Sequence, residues 1–353
     1  MIGSRDRVRR CLLGERPDRP PLFDLLPNDA VLAHFNGGRP VAEGDDAAGA
    51  RAVAAALDGT RCSQLSPRAA RTELLPDGRQ VRIERWTCWR EHVRYASSEE
   101  YAAAKRQTIR ELRQAAAAAI DTVTDHHYRL ERQAYAWFGD DFCYLLAPPH
   151  TNLMGIWEEV GLESFSYYLY DCEPVVVELL DAHTEYACRW IEGLPADDPF
   201  DAVFIGEDIA FKGGPMIRVS WLRRHYFPRL ARLIAAIHAR GKKVMFHSDG
   251  NLNAIMDDLM EAGIDLLNPI EITAGMDLAE LHRRYPRLLF AGGIDVTYLL
   301  PFGTPAQIRD AVVKAIEDTE GRILVGSSTE VFNTVPLANY LALRDAALSY
   351  RFG

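Results

Sequence analysis

The sequence predicts an α/β protein whose parallel strands close into a (β/α)8 barrel, the TIM barrel. In its second half, apolar runs end in polar residues and each leads into an amphipathic helix. These runs are apolar throughout, as expected of parallel strands that helices cover on one side and a packed interior on the other. The runs span residues 202–206, 243–247, 264–268, 288–292 and 323–327.

The segments between these runs carry helix signals. Pro228 opens and Gly241 closes one segment whose apolar residues share a face. Thr304 and Gln307 form a predicted capping box around Pro305 at the start of another. Strand and helix therefore alternate, as in a barrel.

The first half supplies weaker strand candidates at residues 21–26, 60–65 and 142–146, which bring the count to eight. The second is the least clear. Residues 71–96 contain a turn signal and then alternate, which predicts an antiparallel β-hairpin excursion near the N-terminus of the barrel. We expect one domain over residues 1–353, with two short α/β domains as the alternative.

Composition indicates a soluble protein. Hydrophobic residues are 48% and charged residues 25% of the 353 residues, enough for a large core. The net charge of −10 gives no overall attraction to nucleic acid or anionic lipid, and no apolar stretch resembles a signal peptide or a membrane span. We expect a cytoplasmic protein, and the six cysteines, which form no CxxC pair, fit reduced thiols.

Polar residues follow the predicted strands, at the barrel end where function collects. The candidates are Asp24, Glu207, Asp208, His247, Asp249, Asn268, Glu271, Asp295, Ser327, Ser328 and Glu330. Any one of them could simply cap a helix or a turn, as Asp249 or Asp295 would. Several carboxylates and a histidine around one barrel mouth, however, cost stability unless something occupies the site.

His247 directly ends an apolar strand, and Asp249 follows two residues later on the same side. We expect His247, Asp249, Glu207 and Asp208 to be catalytic and the other candidates to bind substrate. A metal site would use His247, Asp249 and Glu207, with Asp208 or Asp295 orienting the ligands. A buried core histidine is the alternative for His247. His126-His127 beside Asp125 is a weaker metal candidate, and Arg223-Arg224-His225 predicts a solvated face.

Several motifs together carry a family resemblance. They are DAVFIGED at 201–208, KGGP at 212–215, GKKVMFHSDG at 241–250, EAGIDLLNP at 261–269, AGGID at 291–295, and Ser327-Ser328 followed by Val335-Pro336. The chain resembles the uroporphyrinogen decarboxylase superfamily, which includes porphyrinogen decarboxylases and cobalamin-linked methyltransferases. The resemblance implies a barrel with its site at the mouth.

Two departures from the family patterns bear on the reaction. The porphyrinogen decarboxylases have an arginine-rich segment after the first strand, where this chain has residues 25–29, LLPND. The resemblance therefore argues against uroporphyrinogen as substrate. The zinc methyltransferases have a His-x-Cys pair where His247 and Asp249 stand, and no cysteine follows Cys188 here. A harder site of Glu207, His247 and Asp249 could hold zinc, manganese or iron, or the same residues could act without metal.

Three functions remain open at this point. The first is metal-assisted methyl transfer on a small molecule or a corrinoid, with a corrinoid protein as partner. The second is decarboxylation of a small or aromatic carboxylic acid, which would need cations at the mouth. The third is non-catalytic binding of a tetrapyrrole or corrinoid. The predicted strand ends carry carboxylates, with the arginines mostly elsewhere, and this balance favours methyl transfer.

Overall fold

The computed structural model describes residues 2–61, 64–118, 122–123 and 125–352. Its strands are β1 Gly59–Arg61, β2 Arg71–Leu74, β3 Gln80–Ile83, β4 Cys88–Arg90, β5 Cys143–Leu145, β6 Ala202–Gly206, β7 Ala210–Phe211, β8 Gly214–Pro215, β9 Lys243–His247, β10 Leu266–Asn268, β11 Leu289–Ile294 and β12 Ile323–Ser327. Its helices are α1 Ser4–Leu12, α2 Asp29–Phe35, α3 Asp46–Ala56, α4 Ser98–Ala117, α5 His126–Phe138, α6 Leu153–Val160, α7 Leu162–Asp171, α8 Glu173–Glu192, α9 Val219–Trp221, α10 Phe227–Ala239, α11 Met256–Ala262, α12 Leu278–Arg284, α13 Leu299–Phe302, α14 Pro305–Asp318 and α15 Leu337–Ser349.

Parallel pairing organises the strands. One sheet has the order β12-β11-β10-β9-β6, and a second pairs β1 with β5. Isolated parallel bridges join Leu146 to Val203, Phe23 to Gly59 and Leu22 to Val325. Within the described residues, the pairing thus runs from residues 22–23 through β1, β5, β6, β9, β10, β11 and β12 and returns to residue 22. The predicted α/β class with a parallel sheet is confirmed.

Alternate residues along these strands enter two separate apolar cores. Val203 and Ile205 of β6 belong to the larger core, which also contains the apolar faces of the helices. Phe204 of β6 and Met245 of β9 belong to the smaller core, which residues of α1 also enter. Both faces of the parallel strands are therefore buried, and this explains why the runs are apolar throughout.

The local predictions can be compared with these bounds. Strands β6, β9 and β12 begin and end where the sequence predicts, whereas β10 is shorter than its predicted run. The capping box at Thr304 and Gln307 is present in α14. Of the strand predicted at 60–65, Thr60 and Arg61 lie in β1, and residues 62 and 63 lie outside the described residues.

The segment 71–96, predicted as a hairpin excursion, contains the antiparallel sheet β2-β3-β4. Its strand residues are mostly exposed, apart from Val81 and Ile83. The described cysteines are free thiols, while Cys62 lies outside the described residues. Among the described helices, none combines the length and apolarity needed to cross a bilayer.

Candidate functional site

The polar residues that follow β6, β9 and β10 emerge at one edge of the parallel sheet. In the strand register, Gly206 pairs with His247 and His247 pairs with Asn268. The last residue of β12, Ser327, pairs with Ile294 of β11. Residues that continue from these strand ends therefore leave the sheet together. We call this side of the sheet the carboxyl edge.

His247 is buried at the end of β9, and its orientation is set by Asn268. Nδ1 of His247 lies 2.7 Å from Oδ1 of Asn268, whose side-chain nitrogen donates to the carbonyl of Ala291 over 3.1 Å. Because Asn268 presents its oxygen, Nδ1 of neutral His247 carries the hydrogen and Nε2 keeps a lone pair. Burial lowers the pKa of His247 against the opposing effect of Asp208, which favours this neutral form.

Asp208, His247 and Asp249 form a cluster, which we call the trio. One potential ligand atom from each residue lies within 4.8 Å of those from the other two. Nε2 of His247 is 3.7 Å from Oδ1 of Asp208, and the same oxygen accepts the backbone N–H of Asp249 over 2.9 Å. One imidazole nitrogen and two carboxylates form a donor set that zinc, manganese or iron accepts.

Asp249 stands in a turn that requires glycine at position 250. Gly250 has φ +92°, and a Cβ there would lie 2.6 Å from the backbone nitrogen of Phe211. Burial raises the pKa of Asp249 to about 7, and the carboxylates of Asp208 and Glu271 add to the effect. Oδ1 of Asp249 is buried without a hydrogen-bond partner among the described residues. A buried oxygen without a partner lowers the free energy of unfolding unless a proton binds to it or a cation lies beside it.

Glu207 directly follows β6 and turns its carboxylate toward the start of α6. It is fully buried and accepts hydrogen bonds from the backbone N–H groups of Leu153 (3.1 Å) and Met154 (2.7 Å), which open α6. Nδ1 of His150, at 3.1 Å, and the hydroxyl of Thr151 also contact its carboxylate. Burial alone would raise the pKa of Glu207, but His150 and these hydrogen bonds hold it below its usual value.

The metal site predicted from His247, Asp249 and Glu207 stays a prediction, and the structure bears on where two of the predicted residues lie. Both oxygens of Glu207 are already engaged by hydrogen-bond donors around the first turn of α6. Asp208, predicted to orient ligands from behind, stands instead in the trio beside His247.

Asp24 and Ser327, both predicted to bind substrate, bind each other. The backbone N–H of Ser327 donates to Oδ2 of Asp24 over 2.6 Å, and its hydroxyl donates to Oδ1 over 2.8 Å. Both residues are buried. This pair ties the first parallel segment, residues 22–23, to the end of β12.

The remaining candidates are distributed around the carboxyl edge. Asp295 accepts hydrogen bonds from backbone N–H groups at the start of α13. This is the arrangement expected if Asp295 caps a helix or a turn and does not bind substrate. Ser328 accepts a backbone N–H of the same loop through its hydroxyl. Glu271 accepts the N–H of Gly250 over 2.7 Å, next to Asp249. Oε1 of Glu330 lies 3.6 Å from Nη2 of Arg61.

The Asp24–Ser327 pair predicts a pH effect on stability. Burial raises the pKa of Asp24 to about 7, although the hydrogen bonds from Ser327 oppose this. The folded chain then holds a proton that the unfolded chain releases above about pH 4, so the stabilisation is complete below that pH and is lost as pH rises through about 7. We expect Asp24→Asn, which does not ionise, to remove roughly 2–3 kcal/mol from the fall in unfolding free energy between about pH 5 and pH 8. Urea denaturation across this range measures it, and identical pH slopes in both proteins would contradict it.

A cavity of about 600 Å³ opens at the carboxyl edge beside the trio. Asp208 and His247 line it. Its other lining residues are Arg61, Leu112, His127, Ala147, Pro148, Pro149, His150, Asn152, Met154, His183, Tyr186, Phe204 and Gly206. Its size and mixed lining are those of a small-molecule site.

Arg61 places a cation at this edge, and the sequence predictions do not include it. It ends β1, and its guanidinium carbon lies 4.3 Å from the centre of the Phe204 ring, which is itself 5.3 Å from the His247 ring. This contact adds one guanidinium to an edge for which the sequence places the arginines mostly elsewhere. The strand predicted at 60–65 is the least clear of the eight, so the sequence gives little sign that its end lies at this edge.

His150 and His183 were also missed. Nε2 of His183, on α8, lies 3.3 Å from the side-chain nitrogen of Asn152, and burial, with the nearby His150, lowers the pKa of His183 to about 4. A usable signal existed for His150, because Pro148-Pro149-His150 follows the predicted strand 142–146 just as His247 and its neighbours follow β9.

The weaker sequence candidates have simple partners. Asp125 caps α5 by accepting a backbone N–H. His127 lines the cavity, and its Nε2 contacts the carbonyl oxygen of Ala147. Arg223, which belongs to the predicted solvated face Arg223-Arg224-His225, is exposed and pairs with Asp258 over 2.8 Å.

Comparison with protein-family models gives one match, described as uroporphyrinogen decarboxylase (URO-D), over residues 158–350. The matched region is more than half of the chain and contains the trio. Asp24, Arg61 and His150 precede it. No curated protein matches the chain by sequence.

Solved structures were compared as well. A methyltransferase from Methanosarcina mazei is similar with a TM-score of 0.70 and 17% sequence identity, covering 98% of this chain and 98% of that one. At this identity the likeness shows the fold. A protein from Listeria monocytogenes, titled a candidate vitamin-B12 independent methionine synthase, has a TM-score of 0.42 and 14% identity, covering 65% of this chain and 70% of that one. That likeness is too low to carry an argument.

Proposed function

Because the chain belongs to the uroporphyrinogen decarboxylase superfamily, which includes methyltransferases, we propose that it is an enzyme that transfers a methyl group at the carboxyl edge with the help of a divalent metal ion. The observation that carries this proposal is the trio, which gathers Asp208, His247 and Asp249 beside a cavity of small-molecule size. A small molecule is the proposed substrate.

We also infer that the closed run of parallel pairing is an eight-stranded (β/α)8 barrel of one domain, residues 1–353. The segment 71–96 would decorate it. The separate inner and outer cores support this inference, since a barrel has a packed interior and an outer layer between strands and helices.

The chemistry of the trio fits a metal ion. The buried, unpartnered Oδ1 of Asp249 and its raised pKa indicate a carboxylate that lacks a compensating charge among the described residues. Nε2 of His247 offers a lone pair on the same side, because Asn268 holds the hydrogen on Nδ1. A bound zinc, manganese or iron ion would act as a Lewis acid that makes a methyl acceptor more nucleophilic or a donor a better leaving group.

The chain's own residues would position the substrate. Arg61, held over Phe204, offers a positive charge to an anionic group of the substrate. The apolar part of the cavity wall, including Met154 and Tyr186, would exclude water from the bound molecule. The cavity is of small-molecule size, so a corrinoid, free or on a partner protein, would present its methyl group at the opening.

Decarboxylation of a small or aromatic carboxylic acid is the second candidate, and Arg61 is the observation that favours it. A guanidinium at the carboxyl edge could hold a substrate carboxylate. Asp249, with a pKa raised to about 7, could supply the proton that the carbanion takes up after carbon dioxide leaves.

One experiment separates the two reactions. Protein purified without chelator, and protein reloaded with zinc, manganese or iron, is incubated with candidate methyl donors, including a methyl-corrinoid, and with either small-molecule acceptors or a corrinoid acceptor. Carbon dioxide release from candidate acids is followed in parallel. We expect metal-dependent methyl transfer. Metal-independent carbon dioxide release that His247→Ala abolishes, without methyl transfer, would replace this proposal with decarboxylation.

A further inference from the structure

His150 stands in the wall of the cavity with a buried carboxylate behind it. Its Nδ1 lies 3.1 Å from Oε1 of Glu207, which is fully buried and does not line the cavity. The His150 side chain keeps 23% of its surface exposed. The imidazole therefore bridges a buried anion and the open space beside the trio.

Two groups compete for Nδ1 of His150. The backbone N–H of Asn152 points at it over 3.1 Å, which would favour the tautomer with hydrogen on Nε2. Glu207 favours the opposite tautomer, because its carboxylate can only accept a hydrogen bond. A hydrogen bond to an ionised acceptor is about twice as strong as one between neutral groups. The hydrogen therefore belongs on Nδ1, directed at Glu207.

This tautomer leaves Nε2 of His150 with a lone pair. Within the described part of the chain, Nε2 has no hydrogen-bond partner, and it is not among the buried atoms that lack one. By contrast, Nε2 of His183 is next to Asn152, and Nε2 of His127 contacts a carbonyl oxygen. Because Glu207 holds the hydrogen on Nδ1, Nε2 of His150 can accept a hydrogen bond from a molecule in the cavity.

We propose that Nε2 of His150 accepts a hydrogen bond from a hydroxyl or thiol group of the ligand, so that the cavity selects apolar molecules that carry such a group. The proposal rests on the proposed function, since methyl transfer to oxygen or sulfur replaces the hydrogen of one O–H or S–H group of the acceptor. When a methyl group replaces that hydrogen, the hydrogen bond to His150 is lost. His150 is then a specificity-determining residue that distinguishes the unmethylated from the methylated molecule.

The tautomer is tested first and needs no ligand. Long-range proton–nitrogen correlation spectra of uniformly 15N-labelled protein distinguish the two neutral forms of each histidine ring. The His150 signals are assigned by their loss in His150→Leu. We expect hydrogen on Nδ1 in the parent and on Nε2 in Glu207→Gln, whose amide can donate to Nδ1. Hydrogen on Nε2 in the parent, whether alone or together with hydrogen on Nδ1 in a protonated ring, would overturn the proposal.

Ligand selection is tested with phenol against anisole and with thiophenol against thioanisole, by calorimetric titration. One neutral hydrogen bond corresponds to roughly a 2- to 12-fold tighter binding of the protic member of each pair. We expect His150→Leu to remove this preference. His225→Leu is the matched control, because His225 pairs with Glu173 over 3.4 Å and does not line the cavity.

Each outcome decides the proposal. Equal or weaker binding of phenol and thiophenol in the parent, no binding of either, or an unchanged preference in His150→Leu would overturn it. If the leucine variant does not fold, the spectra and the binding preference of the parent still decide. None of these measurements depends on the trio, so loss of metal in Asp249→Ala bears only on the proposed function.

Discussion

Replacing His247 with alanine should reduce the bound divalent metal from about one ion per chain to near zero, a loss in affinity of roughly 100-fold or more. The variant removes the one nitrogen donor of the trio. It leaves the carboxylates of Asp208 and Asp249 close together without the imidazole beside them. Asp249→Ala should have a similar effect. Elemental analysis after dialysis against buffer without chelator, followed by titration with zinc, measures both.

Replacing Asn268, which orients His247, should lower metal affinity by less than replacing His247 itself. Asn268→Ala removes the acceptor that holds the hydrogen on Nδ1, and such partners of a ligand contribute about 10- to 100-fold in metal affinity. The matched control is His238→Ala, because His238 pairs with Asp265 over 2.8 Å on the surface. If His247→Ala and Asp249→Ala bind as much metal as the parent, these residues are not ligands.

Much of the carboxyl edge could be predicted because the strands of the second half are apolar and, apart from β10, have five or six residues. Each run ends at a recognisable polar residue, and the register then brings Gly206, His247 and Asn268 level. The first half gave weaker predictions for a physical reason. Its parallel segments are short, and residues 22–23 pair only through isolated bridges, so little sequence periodicity marks them. Arg61 was missed for this reason.

Adjacent carboxylates at a strand end could not be assigned from sequence. Glu207 and Asp208 directly follow β6. Because the chain leaves the strand there, the alternation of side chains between the two faces of a strand no longer determines where each carboxylate points. Their roles depend on α6, whose first N–H groups engage Glu207 and leave Asp208 to the trio. That contact joins residues more than fifty positions apart, and no local pattern encodes it.

This assignment predicts opposite consequences for two neighbouring substitutions. Glu207→Leu should lower the free energy of unfolding by about 3–5 kcal/mol, because it leaves several buried hydrogen-bond donors without their acceptor. These are the N–H groups of Leu153 and Met154 together with the side chains of His150 and Thr151. Urea denaturation followed by circular dichroism measures the loss.

Asp208→Ala is the matched control, since it removes the adjacent carboxylate, which is 28% exposed. We expect it to change stability by less than about 1 kcal/mol while lowering metal affinity. Glu207→Gln separates the two effects in a folded protein, because its amide oxygen still accepts a hydrogen bond from α6. It should bind metal as the parent does and be destabilised less than the leucine variant. Metal loss in Glu207→Gln at parental stability would mean that Glu207 is a ligand, and the helix contact would then be secondary to the metal site.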